Sequence, residues 1–171
     1  MDGSEYDIQK EAVRSIIHKN KKPPNCNFDT WEDYANVRFR ERKSSIIQLL
    51  QRFVIRITFQ PTTPLKPDGY ECDSAVGTGV EFVPVDEPTM RLAGLPDRNP
   101  PEEKWRGLIL HEFGHALGLR HEHQSPAAFD LDRKAVLDAY SGMEKWAEDD
   151  ILRKFKDSMN YTKFDAKSIM V

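Results

Sequence analysis

The run HEFGHALGLRHEH, residues 111 to 123, holds four of the chain's five histidines and two glutamates. On a helix advancing about 100° per residue, His115 lies ~40° round from His111 and ~6 Å further along the axis, so both imidazoles can converge on one metal ion. Glu112 sits at ~100°, beside that face. Ile109, Leu110, Phe113 and Leu117, flanked by Trp105 and Ala116, occupy the other side. That pattern predicts a central helix, buried behind and open to a cleft in front.

His121 joins the pair only if the helix stops. Six residues beyond His115, a continuing helix would aim it ~240° round and ~9 Å away. Gly118 is the residue that can turn the chain, because glycine adopts the left-handed conformation at a helix C-terminus without steric penalty. Three neutral imidazoles leave the fourth position of a tetrahedral zinc ion open, the arrangement of a catalytic rather than a structural site. Zinc lowers the pKa of a water to about 7 and polarises a carbonyl, and a carboxylate beside it can carry the proton to the leaving amine. Glu112 is the candidate for that role. A lone histidine on a helix is more often a packing or surface residue, and HxxxH alone is weak; the glutamate between the pair and a third histidine behind a glycine make the set specific. Arg120 and His123 fall outside this geometry and read as surface residues. Gly107 and Gly114, each costing ~1 kcal/mol relative to alanine in a helix, admit either close approach of another segment or ordinary helix packing.

Working outward, the segment PDRNPPEEKWRG looks like the helix start, with Asn99 as N-cap, Pro100 in the first position and Glu102 three residues after the cap. Upstream, Ile8, Ala12, Val13, Ile16 and Ile17 recur at helical spacing, predicting a helix over 6–19 that ends before the loop NKKPPN. A second helix is expected from Asp29 or Thr30 to Phe53, with Ile46, Leu49, Leu50 and Phe53 on one stripe. VIRITF (54–59) alternates as a strand with one buried face. A proline-rich loop (61–73) follows, then two short strand candidates, VGTGVEFVPV (76–85) and PTMRLAGL (88–95). Residues 131–157 suggest two short helices around Ser141 and Gly142, and the last stretch reads as irregular. The order of elements is that of an α+β protein.

A chain of 171 residues with 39% hydrophobic residues fits one domain with a real core. The net charge of −3 comes from interspersed acids and bases, which gives no electrostatic reason to expect nucleic acid or an anionic membrane as partner. No run approaches the ~20 apolar residues needed to cross a bilayer. The start, MDGSEYDIQK, has no apolar stretch of signal-peptide type, so the protein is expected to stay inside the cell or to have lost a signal before this numbering begins. Cys26 and Cys72 are compatible with one disulfide or with two thiols.

HEFGHALGLRHEH resembles the metzincin zinc-peptidase pattern HExxHxxGxxH, and Glu122, directly after the third histidine, is similar to the astacin branch. SIM (168–170) resembles the Met-turn of that branch, in which a methionine forms an apolar floor below the zinc ligands. The phrases VGTG, PTMRL, WRGLILHEFGHALGL and HEHQSP are similar to microbial astacin-like peptidases. The resemblance implies a zincin-like metzincin fold in a single domain, 1–171. Its upper lobe, 1–118, would be a mixed twisted sheet with helices, and its lower lobe, 119–171, smaller, mostly irregular or helical, and truncated. It implies one Zn2+ held by His111, His115 and His121, catalysis by Glu112, and support of the site by Gly118 and Met170. Family enzymes bind substrate as an extended strand at a sheet edge, and PTMRL (Pro88, Thr89, Met90, Arg91, Leu92) is the expected edge because proline suits an edge better than a central strand. The expected function is metalloendopeptidase action on proteins or peptides, by an extracellular monomer without nucleic-acid or membrane partners. The family carries a tyrosine two residues beyond the Met-turn methionine that can stabilise the oxyanion; Tyr161 does not match it by motif, and that role is not carried over to any residue of this sequence. Alternatives are a catalytically impaired zinc-binding interaction module and a zinc enzyme acting on another amide or ester.

Overall fold

The structure is a computed structural model that describes residues 6–24, 26–41, 54–65, 69–96, 103–127 and 162–170. The chain folds as two compact units, Met1–Leu119 and Arg120–Val171.

In the first unit, α1 spans Asp7–Ile17 and buries Ala12, Val13, Ile16 and Ile17, as its spacing predicts. Ile8 departs from that stripe and is 46% exposed, lying in the first helical turn. The expected long second helix is a correction: α2 is the single turn Trp31–Tyr34. Its start is well made, since the Thr30 and Asp33 side chains form a reciprocal capping box. Its end follows at once. Ala35 is extended (φ −123°, ψ 151°), and the Glu32 carboxylate accepts the backbone N–H groups of both Phe39 and Lys19, tying down an extended segment where a helix would have continued. Ile46, Leu49, Leu50 and Phe53 lie outside the described residues.

Three short strands form a sheet in the order β1-β3-β2: β1 is Ile57–Thr58, β2 Glu71–Ser74 and β3 Met90–Ala93. β1 runs parallel to β3 with Ile57 opposite Met90, and β2 antiparallel with Cys72 opposite Leu92. β2 lies partly in the stretch expected to be a loop. Its residues, ECDS, have low strand propensity, and the strand forms through its pairing: Asp73 meets Arg91 across the ladder at 3.1 Å, and Glu71 accepts the N–H and hydroxyl of Thr62. Conversely, the strand expected over 76–85 is a 3-10 helix, Gly77–Phe82, where Gly77 takes φ +50°.

α3, Glu103–Ala116, carries the histidine pair. Its expected start at Asn99 to Glu102, and the two helices expected over 131–157, lie outside the described residues. Ile109 and Phe113 are buried on it beside Val13, Ile16 and Ile17 of α1 and Met90, Leu92 and Leu95 of the sheet, making one core. Phe39 meets Phe113 edge-on at 5.2 Å, and the Trp31 indole N–H donates to Leu110 O at 2.8 Å, which fastens the α2 segment to the middle of α3. Leu117, expected on the buried side, is 37% exposed. Among the described residues nothing lies within 4 Å of where a Cβ on Gly107 would project, so none of them explains it by close approach. The architecture is α+β, as the order of elements predicts.

In the second unit the described residues are short turns. Glu122–Gln124 is a 3-10 helix, the Glu122 N–H donates to Met170 O at 2.8 Å, and the Glu122 carboxylate accepts the Asp165 N–H at 3.0 Å. Met170 is 2% exposed. Among the described residues no helix is long and apolar enough to cross a membrane.

Candidate metal centre

α3 ends in a Schellman motif. The Gly118 N–H donates to His115 O at 2.8 Å and the Leu119 N–H to Gly114 O at 2.9 Å, which are the two bonds that define it. Gly118 takes φ +99°, in the region that L side chains avoid. The turn therefore falls where the sequence predicts. Gly77 packs against it so closely that a Cβ there would lie 3.0 Å from the Gly118 Cα.

The same turn orients a histidine. Leu119 O lies 2.8 Å from His115 Nδ1. A carbonyl oxygen only accepts, so Nδ1 bears the hydrogen and the neutral ring keeps its lone pair on Nε2, the atom available to a metal. The His111 and His115 rings meet edge-on with centroids 4.7 Å apart. One ligand atom from each of His111, His115 and His121 lies within 4.8 Å of the others, a group that can hold a metal ion.

Glu112 is buried at 5% exposure, and its Oε2 has no hydrogen-bond partner among the described residues. Burial first, and the Asp73 carboxylate second, push its carboxyl up to about 8. An unpartnered buried carboxylate is costly unless a proton or a cation sits near it, and a bound divalent cation would draw the value back down. The donor chemistry, the fixed His115 tautomer and this unpartnered oxygen all fit a cation of zinc type.

Other expected residues fare differently. His123 is a correction: it is buried at 9% exposure and stacks on His121 with centroids 5.3 Å apart, so it packs behind the third histidine, while Arg120 is exposed. PTMRL is a second correction. β3 has a strand on each side, and Met90 and Leu92 are core residues at 1% and 0% exposure. Pro88 precedes the strand and so costs the ladder no donor. It marks a strand start, not an edge. Both cysteines are free thiols, and Cys72 lies on β2. Burial and then Glu112 push that thiol up to about 12.

No family model matches the chain, and no curated protein matches it. Two solved structures of myroilysin, a metallopeptidase of metzincin type, are similar to it. One has a TM-score of 0.67 at 24% identity and the other 0.54 at 26%; each comparison covers 99% of this chain, and respectively 73% and 66% of the other. The fold is metzincin-like.

Proposed function

We propose that this chain is a zinc-dependent metalloendopeptidase. The observation that carries the reading is the convergence of three histidine donors, beside a buried carboxylate on the helix that supplies two of them. His111, His115 and His121 would hold the ion. When bound, zinc supplies Lewis-acid polarisation of a carbonyl and a more acidic water. Glu112 takes a proton from the attacking water and returns it to the amine nitrogen as the peptide bond breaks, giving a carboxylic acid and an amine. Burial raises its affinity for a proton above that of an ordinary carboxylate, and the cation opposes that rise, so its proton affinity in the loaded site is set between the two.

Substrate is an extended polypeptide. Backbone pairing needs a strand with one open side, and among the described residues β2 has a partner only in β3. Asp73 of β2 is also the charge that acts on Glu112, so the edge role expected of 88–92 falls to 71–74. Placement near the astacin branch rests on Glu122 and Met170. Glu122 bonds both to the Met170 segment and to Asp165, a role in holding the Met-turn that supports Met170 as part of the site's frame.

The test is zinc content together with casein hydrolysis, with and without a chelator. Glu112→Ala should keep the metal and lose ~10²–10⁴ in rate. Stoichiometric zinc with wild type and Glu112→Ala cleaving equally poorly would overturn the proposal in favour of a zinc-binding interaction module.

A further inference from the structure

The segment joining β2 to β3 exposes apolar side chains on a backbone that is firmly held. Phe82 is 87% exposed and Val85 47%. Single exposed apolar residues are ordinary; the support beneath these two is not. The Arg56 guanidinium donates to three backbone carbonyls of the loop, Glu87 O at 2.6 Å, Pro84 O at 2.9 Å and Val83 O at 3.4 Å. A guanidinium shared among three carbonyls fixes the loop from below, so the side chains above it need little further ordering when something binds. Residues 77–88 include Glu81, Asp86 and Glu87 and neither lysine nor arginine; all three acids are exposed. The inner side of the segment walls a cavity of about 210 Å³, lined by Gly77, Thr78 and Val80 with Val54, Ile55 and Ala116. That is below the size of typical small-molecule pockets and suits one apolar side chain.

We infer that the loop 77–87 is a docking surface for an unfolded polypeptide that presents apolar and basic side chains together. The acidic surround opposes an anionic membrane or a nucleic acid and attracts lysine and arginine, while Phe82 and Val85 supply a preorganised apolar contact. Identifying that polypeptide with the substrate rests on the peptidase reading above: the loop continues directly from β2, so a chain lying along β2 extends past Ser74 towards it.

The experiment measures fluorescence anisotropy with a labelled lysine–leucine peptide and a glutamate–leucine counterpart, in a Glu112→Ala background where the peptide stays intact whether or not the chain is a peptidase. The lysine–leucine peptide should bind saturably, Phe82→Ser should weaken it about tenfold or more, and the triple change Glu81→Lys, Asp86→Lys, Glu87→Lys should invert the preference between the peptides. All these positions are exposed, and unchanged melting temperatures check that the fold is kept. Equal binding of both peptides, or affinities unmoved by both variants, overturns the inference even where casein is cleaved. Peptide binding as expected with no casein cleavage leaves the docking surface standing and removes the peptidase reading. Self-association of the wild type that Phe82→Ser abolishes makes a second copy of the chain the partner and overturns the assignment to substrate.

Discussion

Gly118→Ala tests whether one turn both ends α3 and prepares the metal site. At φ +99° an L residue pays the left-handed penalty of roughly 1–2 kcal/mol. Among the described residues no steric clash is added, because the nearest atom to a Cβ at Gly118 would be the Gly77 Cα at 3.9 Å, an ordinary van der Waals separation. The stability cost is therefore backbone strain alone, a fall of about 2–8 °C in melting temperature for a chain of this size. If the turn opens to relieve the strain, Leu119 O leaves His115 Nδ1, and loss of such an orienting partner weakens metal binding ~10–100-fold. The assay is thermal melting of the chelator-treated protein together with zinc affinity by competition against a chelating dye. Two further variants separate the causes. Gly118→Asn should recover part of both losses, since asparagine tolerates left-handed backbone. Gly77→Asn should remain worse than Gly118→Asn, because any Cβ there meets Gly118 backbone at 3.0 Å. Wild-type melting and wild-type zinc affinity in Gly118→Ala, or no difference between alanine and asparagine at 118, would refute this account of the turn.

Zinc at ~1,000 times its dissociation constant should stabilise the chain by about 4.1 kcal/mol, and His121→Ala should abolish most of that gain, both read by melting. Cys72, pushed from an ordinary 9.0 to about 12, should react with iodoacetamide at pH 8 roughly a thousandfold more slowly in the native chain than in urea, as mass spectrometry of the labelled peptide would report. Hydrogen bonds from Lys22 first, then from the Thr30 N–H and from Lys19, hold the Asp33 carboxyl well below the usual carboxylate range. A depressed native value means the stabilisation is present above the unfolded pKa near 4 and is lost as pH falls further. Asp33→Asn should therefore flatten the acid limb of the stability profile measured by urea unfolding. Phe113→Ala, at 1% exposure, should cost about 3–5 kcal/mol of stability by the same measurement.

What the sequence reveals and what it hides follow from how local each determinant is. α1 and α3 are legible because their apolar spacing is a property of consecutive residues, and the turn at 118 because glycine meets its backbone requirement without strain. β2 is hidden because ECDS becomes a strand only through Arg91 and Thr62, partners at a distance in the chain. The end of α2 is hidden for the same reason: Thr30 and Asp33 announce a helix, while Glu32 stops it by capturing the N–H of Phe39 and that of Lys19. Pro88 misleads because a proline just ahead of a central strand and a proline on an edge strand look alike until the ladder is known.

The histidine site belongs partly to each kind. Side-chain spacing alone accounts for the convergence of His111 and His115 and for Glu112 beside them. The choice of Nε2 as donor atom at His115 depends instead on the Leu119 carbonyl, a group any residue at 119 supplies. That carbonyl reaches the ring because Gly118 reverses the chain after the shortest interval that closes both bonds of the motif, to His115 O and Gly114 O. Moving the glycine one residue later would carry the turn, the carbonyl and His121 around the helix together. The distance from the second histidine to the glycine is thus constrained twice, by the third ligand and by the tautomer of the second, which is why the spacing is so informative when read as sequence alone.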